Sequence, residues 1–374
     1  MNTAYSTIRV GVLGAGVISQ SVHLPSLRRA GFDIRYVCDL SASRAAQVAA
    51  AVGSRPTNDP GQVFTDPEVD AVLIATSGSH TELTKSALAH GKHVLAEKPL
   101  AFTVRETAEI AQLAQHQQRI VQVGYMKMYD PLTTIAAQEV AAMERLRLVR
   151  VTVAHPADEP QVAHLRLPQP SADADPAIIA VAQAYDTDRA REALPGADES
   201  LLRYYTDVLN GSVIHEFSLL RALGLGLPER WQAQTFAEGD EPASLLATGT
   251  VGQTAYVLSW NWLPDYPEYQ EELVALAANA RLEFHLAKPY LLEERSRLVS
   301  RRHTGELRQD TSYTDGHDTG FIRQLDAFAD AIRTGISPDP ALSGVAADIT
   351  ALQSLAQAIA AGRGHDIHTE TAQP

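Results

Sequence analysis

The chain has 374 residues, of which 45% are hydrophobic, 20% charged and 6% aromatic; that is ordinary globular composition and excludes collagen-like, disordered and disulfide-rich classes. Thirty-one Lys and Arg against 45 Asp and Glu leave a formal charge of −14, which argues against a general nucleic-acid binder, since phosphate contacts need a basic face, and favours a small-molecule partner. The length predicts about two or three domains. The lone Cys38 cannot form an internal disulfide, and the opening MNTAYSTIRVGVLG has neither a basic segment nor a long apolar one, so a cytoplasmic setting without a membrane partner is expected.

From Thr7 to Tyr125 short apolar runs (Ile8 to Leu13, Ile34 to Cys38, Ala71 to Ala75, His93 to Ala96 and Ile120 to Val123) alternate with helical patterns around Ser19 to Arg29, Ser43 to Ala51, Thr81 to Ala89 and Thr103 to Gln115. This alternation predicts βαβ units and a mostly parallel sheet. Pro25 should interrupt the first helix early. After Pro131 longer strand-like stretches, Leu146 to Ala154, Leu245 to Asn261 and Glu272 to His285, predict a mainly antiparallel sheet in a second domain. The division expected is residues 1–126 as a domain built on the parallel sheet and 127–374 as a second domain built on the antiparallel one. Within the latter, 157–200 reads as a helical insertion, with a helix around Ala177 to Leu194 that could serve as a lid. Closing helices are expected at Thr319 to Arg333 and Ala341 to Ala361, able to pack back on the first domain, before a polar tail.

Gly14-Ala15-Gly16-Val17-Ile18-Ser19 follows a strand directly and opens a helix, the context that a dinucleotide fingerprint requires. Gly14 allows the tight turn, Gly16 removes a Cβ from the path of a pyrophosphate, and the amides around Val17 and Ile18 open the helix toward it. Ser19 takes the place of the usual third glycine. Asp39 ends the second strand, where a carboxylate accepts the ribose hydroxyls of NAD and repels the 2′-phosphate of NADP. NAD is therefore the expected cofactor, with NADP second because Arg44 follows one helical turn on.

Glu97-Lys98-Pro99 ends the run His93 to Ala96 at the carboxyl edge of the expected sheet, where open α/β folds place ligands. Gly14-Ala15-Gly16, Ala75-Thr76, His80, the run Ala89 to Leu100, and Val123-Gly124-Tyr125 followed by Pro131 together resemble the glucose-fructose oxidoreductase / inositol dehydrogenase (Gfo/Idh/MocA) family, strongly over about residues 7 to 131 and again at His215 and Phe321 to Gly335. The resemblance implies a Rossmann domain followed by an open antiparallel sheet, a nicotinamide cofactor, and sugar, cyclitol or keto-sugar substrates. It implies that Lys98 lies beside nicotinamide and substrate, that Glu97 and Pro99 shape a turn whose Lys98-Pro99 peptide is cis, and that Thr76, Ser77 and His80 belong to the cofactor side. It also places substrate contacts in the stretch holding Tyr125 and Lys127, which alternate and so could share a face.

Tyr204 to Leu223 reads as one helix with Asp207, Gly211 and His215 at i, i+4 and i+8 on a common face. In the family an Asp and a His four apart commonly form the acid/base pair; His215 matches the histidine and Gly211 stands in the aspartate's place. Histidine suits proton transfer to or from an alcohol, with a pKa of about 6.5. Asp207 is about 12 Å away along an α-helix, too far to hold the ring, which leaves Asn210 or a residue from elsewhere as its partner.

The expected activity is NAD(P)-dependent hydride transfer on a secondary alcohol or ketone, with Lys98 and His215 catalytic. The absent aspartate keeps open a redox-neutral enzyme of epimerase, eliminase or glycosidase type that uses tightly held NAD transiently, and, from another class, a non-catalytic NAD or metabolite sensor. No HExxH or CxxC spacing occurs, so no metal is expected. Trp260, Trp262, Tyr266 and Tyr269 could stack on a sugar or fill a subunit face, and an open sheet face predicts a homodimer or homotetramer.

Overall fold

The computed structural model describes residues 7–165, 167, 173–236, 242–315, 318–337 and 342–370. They form two compact units. The first holds Met1–Tyr125, Leu165–Asp188 and Phe321–Ala346, the second Met126–His164, Arg189–Gly320 and Ala347–Pro374. The insertion read at 157–200 is thus divided, with its 165–188 part in the first unit rather than with the second domain; residues 166 and 168–172 of it, Ala341 at the start of the last expected helix, and the tail from 371 lie outside the described residues.

In the first unit six strands, β1 (Arg9–Leu13), β2 (Asp33–Cys38), β3 (Arg55–Thr57), β4 (Ala71–Ile74), β5 (His93–Ala96) and β6 (Val121–Val123), pair in the order β3-β2-β1-β4-β5-β6. All five pairings are parallel. Three of the six, β1, β4 and β5, hold continuous apolar runs because both faces are covered, as in β4, where Ala71, Val72, Leu73 and Ile74 are all buried. Between the strands run α1 (Leu24–Arg29), α2 (Ala42–Val52), α3 (Pro60–Thr65), α4 (Thr81–Ala89) and α5 (Val104–Gln117). Thr103 and Glu106 close a capping box at the start of α5, each side chain satisfying the other's backbone amide. One face of the sheet buries Val10, Val12, Val37 and Leu73 against Leu27, Val48, Leu325 and Phe328.

In the second unit α6 (Pro131–Ala141) leads to β7 (Leu148–His155) and the short α7 (Asp158–Val162). α8 (Pro176–Ala193) begins in the first unit and ends in the second; after it and α9 (Glu199–Tyr204), a π-helical segment Tyr205–Val213 continues as α10 (Ile214–Ala222). Strands β8 (Trp231–Phe236), β9 (Ser244–Val251), β10 (Thr254–Trp262), β11 (Gln270–Leu276), β12 (Ala280–His285), β13 (Arg297–Thr304) and β14 (Leu307–Thr314) complete an eight-stranded sheet of order β14-β13-β12-β11-β7-β10-β9-β8. Every pairing is antiparallel except β7 with β10. Burial alternates along these strands, as in β12, where Ala280, Leu282 and Phe284 point inward, the pattern of a sheet with one packed face. Helices α11 (Gly320–Thr334) and α12 (Leu342–Gly362) end the chain's regular structure. Of the three long strand-like stretches read from the sequence, Leu146 to Ala154 is the single strand β7, whereas Leu245 to Asn261 and Glu272 to His285 each resolve into a hairpin of two strands, and β13 and β14 lie at one margin of the sheet.

Candidate functional site

The first unit assembles the phosphate-binding turn. Gly14 has φ +92°, and a Cβ there would sit 2.4 Å from the Ala75 carbonyl oxygen, so backbone conformation and crowding both require glycine. Gly16 differs: a Cβ built on it meets nothing within 4 Å. The protein itself therefore leaves room at Gly16, as a cradle for a bound pyrophosphate should. Ser19, in the third-glycine place, is buried and donates its hydroxyl to the Gly14 carbonyl at 2.5 Å. The helix opens as a π turn over Ser19–His23 and continues directly as α1, with Pro25 near the start of α1. Val17 is exposed on this turn, and Ile18 packs partly against the core. Asp39 faces it, accepting the Ala15 amide at 2.8 Å and the Ser41 amide at 2.9 Å. An open cradle flanked by a carboxylate at the end of β2 fits a dinucleotide with free ribose hydroxyls.

At the end of β5 the Lys98-Pro99 peptide is cis. Glu97 is buried and bonds His23 across 2.8 Å, while its other oxygen accepts the Lys98 amide at 3.2 Å. Burial by itself would raise the Glu97 carboxyl, but the His23 hydrogen bond and the positive charge of His23 and Lys98 outweigh it and hold the group below its usual range. His80 is fully buried, with Nδ1 2.7 Å from the Pro99 carbonyl and Nε2 3.1 Å from that of Thr76. Its burial lowers the imidazole pKa. That ring ties the loop carrying Thr76 and Ser77 to the lysine turn. Tyr125 closes this unit, wholly buried after β6.

In the second unit Lys127 lies in a 3₁₀ turn, Met126–Tyr129, rather than in extended chain, so the expected alternation with Tyr125 does not hold. The Lys127 ammonium is 6% exposed and bonds Glu216 at 2.7 Å and Glu271 at 2.5 Å; Glu271 also accepts the Tyr269 hydroxyl at 2.8 Å. Burial would lower this lysine, and the two carboxylates instead hold it above its usual value. Two buried carboxylates face one ammonium, and burial, opposed by Lys127 and reinforced by Glu271, pushes Glu216 up to about 7. Glu216 and Glu271 escaped the sequence reading. Their signal was weak but present: each is an acid close to apolar residues, Glu216 between His215 and Phe217 and Glu271 at the head of QEELVAL.

His215 is 8% exposed, in the first turn of α10. The single α-helix expected over Tyr204 to Leu223 is not what forms. Tyr205–Val213 is π-helical, and Asp207 is exposed, bonded by the Thr206 hydroxyl at 2.8 Å. Asp207 thus shares no buried face with His215. Asn210 is buried and donates to the Tyr205 carbonyl at 2.9 Å. Around β10, Trp260 donates to the Ser212 hydroxyl at 2.9 Å, and the His155 ring lies 5.6 Å from each of Trp260, Trp262 and Tyr269. Among the described residues Glu272, Glu283 and His285 come close enough to share an ion. Arg150 and Arg281 already pair with the two glutamates, at 2.9 and 2.5 Å, which accounts for the cluster without one.

Residues 8–125 match the family model GFO_IDH_MocA, described as an oxidoreductase family with an NAD-binding Rossmann fold. The N-terminal domain belongs to the Gfo/Idh/MocA oxidoreductase family. Inositol 2-dehydrogenase 3 of Saccharopolyspora erythraea is 41% identical over 128 residues, 33% of this chain and 38% of that protein. Inositol 2-dehydrogenase of Mycolicibacterium smegmatis is 39% identical over 130 residues, again 38% of its length. The chain thus spans about two fifths of the length of these curated relatives. UDP-N-acetylglucosamine 3-dehydrogenase GnnA of Acidithiobacillus ferrooxidans has a similar structure with a TM-score of 0.69, at 19% identity, over 96% of this chain and 99% of that one. That likeness extends the fold, and the fold alone, past the Rossmann domain. Among the described residues no helix is long and apolar enough to cross a membrane.

Proposed function

We propose that this chain is an NAD-dependent oxidoreductase that moves a hydride between the nicotinamide and a secondary alcohol or ketone carbon of a sugar-like or cyclitol-like polyol. The observation that carries the reading is the Gly14–Gly16 turn, open at Gly16 and faced by Asp39, within a domain of the Gfo/Idh/MocA family. The inositol dehydrogenases similar to that domain support the substrate class. Bound nicotinamide supplies or takes up the hydride. Gly14, Gly16, Val17, Ile18 and Asp39 hold the adenosine and pyrophosphate portions, and Thr76, Ser77, His80 and Glu97 hold or support the nicotinamide portion. Lys98 donates a hydrogen bond to the reacting oxygen, polarising a ketone or easing loss of the hydroxyl proton. His215 accepts or returns that proton. Tyr125, Lys127 and His215 serve the substrate, Lys127 through Glu216, the neighbour of His215. No step calls for a metal.

Titration with NAD, then a polyol and keto-sugar panel followed at the reduced-nicotinamide absorbance, tests the reading. Substrate-dependent change in that band, lost by at least a thousandfold in Lys98→Ala while NAD still binds, is the expected result; unchanged turnover removes Lys98 from the chemistry. Gly211, in place of an aspartate, favours one second reading, a redox-neutral enzyme. Product formed with no net absorbance change and cofactor that never exchanges would establish it. The protein works in the cytoplasm as a homodimer or homotetramer built on the open sheet face, and a monomer by light scattering overturns that assembly.

A further inference from the structure

The 165–188 part of the insertion belongs to the first unit and makes two anchored contacts there. At one end the Asp173 carboxylate accepts the Ser41 hydroxyl at 2.5 Å and the Ser43 amide at 2.9 Å. At the other, Asp186 accepts the Ser79 amide at 3.2 Å and lies so close to Gly78 that a Cβ there would be 2.0 Å from its Oδ2. Tyr185 adds a bond to Glu106 at 2.7 Å. Ser41 and Ser43 follow β2, and Gly78 and Ser79 follow β4. In the sheet order β2 and β4 flank β1, the strand that leads into the Gly14–Gly16 turn. Residues 173–186 are therefore fixed at the carboxyl edge on both sides of the phosphate-binding turn.

Asp39 already marks the ribose end of this groove, so the position of the Ser41 and Ser43 donors has a meaning there. A 2′-phosphate adjoining that ribose needs hydroxyl and amide donors and a cation. Ser41, Ser43 and Arg44, the last 3.8 Å from Asp39, are the groups of that kind on the turn. Asp173 has taken two of them. The same two bonds hold its carboxyl down to about 2, so the charge persists across the physiological range. A phosphate dianion would meet two carboxylates, Asp39 and Asp173, with its donors already engaged.

We propose that Asp173 is a cofactor-specificity residue: reaching in from the insertion, its carboxylate occupies the donors that the 2′-phosphate of NADP would require and so makes the domain selective for NAD. This rests on the reading that the groove binds a nicotinamide dinucleotide. The test is calorimetric or fluorescence titration of the full chain with NADH and with NADPH, for the wild type, Asp173→Ala, Asp173→Asn and Asp186→Asn. Asp173→Ala should lower the ratio Kd(NADPH)/Kd(NADH) at least tenfold, with Asp173→Asn, which keeps the volume and loses the charge, moving it the same way by less. Asp186→Asn, at the distant anchor, should leave the ratio as in the wild type. An unchanged ratio in both Asp173 variants, a wild type that prefers NADPH, or an equal shift in Asp186→Asn overturns the assignment. A wild type that binds neither dinucleotide overturns the reading beneath it as well, and that outcome is distinct from the others.

Discussion

His23 and Glu97, 74 residues apart in the chain, meet at 2.8 Å through Nε2 and Oε1, both side chains buried. The contact joins the helix that opens at the phosphate-binding turn to the turn that carries Lys98. Removing one partner leaves the other buried without its bond, which costs about 1–3 kcal/mol. His23→Ala should therefore lower urea stability by that order, and a cycle with Glu97→Gln should show the two changes to be non-additive. Additive losses would mean the pair is not coupled.

Gly14 and Gly16 separate fold from site. Gly14→Ala forces a side chain to φ +92° and into the Ala75 backbone, and should cost several kcal/mol of stability, read as a lowered melting temperature. Gly16→Ala enters open space. Its melting temperature without cofactor should stay within a few degrees of the wild type while NAD affinity falls at least tenfold. An unchanged affinity would place the pyrophosphate elsewhere.

Lys127 bridges two buried carboxylates. Lys127→Met strands both, and breaking a buried pair in this way costs about 3–5 kcal/mol. With Glu216 raised to about 7 from an ordinary 4.5, the folded state holds this proton more tightly than the unfolded one. Stability from it is complete below about pH 4.5 and is lost as pH rises through about 7. In urea titrations Glu216→Gln should lose that decline; an identical pH slope in variant and wild type refutes the assignment.

His93 gives the opposite sign. Its Nδ1 accepts the Ile120 amide at 3.1 Å, and burial, with the charge of Arg119, lowers the imidazole to about 4. The unfolded chain binds this proton first, so stability is complete above about pH 6.5 and falls as pH drops toward 4. His93→Asn, which keeps an acceptor near the Nδ1 position, should flatten the wild-type decline over that window. A decline as steep in the variant would assign the acid sensitivity to other groups.

How far the sequence carries depends on how local the signal is. β1, β2, β4, β5 and β6 are legible because each is a short apolar run between turn residues, and the Gly14–Asp39 constellation because its spacing is set by one βαβ unit. β3 is not, since Arg55-Pro56-Thr57 buries one residue of three. The partners of Lys127 lie 89 and 144 residues away, beyond any periodicity. Asp173 and Asp186 read as polar loop and helix surface, because nothing in a solvated pattern tells which acid will cap a distant turn. The π-helical stretch before His215 escaped for a subtler reason: the apolar positions of Tyr204 to Leu223 suit an α period well enough to hide one wider turn.

That wider turn alters how distances along the chain are to be counted. A π turn closes at i+5 instead of i+4, and amounts to an α-helix that has gained a residue. Counted back from His215 by four, the chain offers Gly211 and a carboxylate seems to have been deleted; counted by the turn this segment has, the position is Asn210, an amide held in place by the Tyr205 carbonyl. Alignment by spacing and alignment by turn therefore disagree by one residue here. Excising a single residue between Tyr205 and Val213 would let the wide turn close to the α spacing, so which residue stands one turn before His215 depends on one residue's worth of chain length as much as on its own identity.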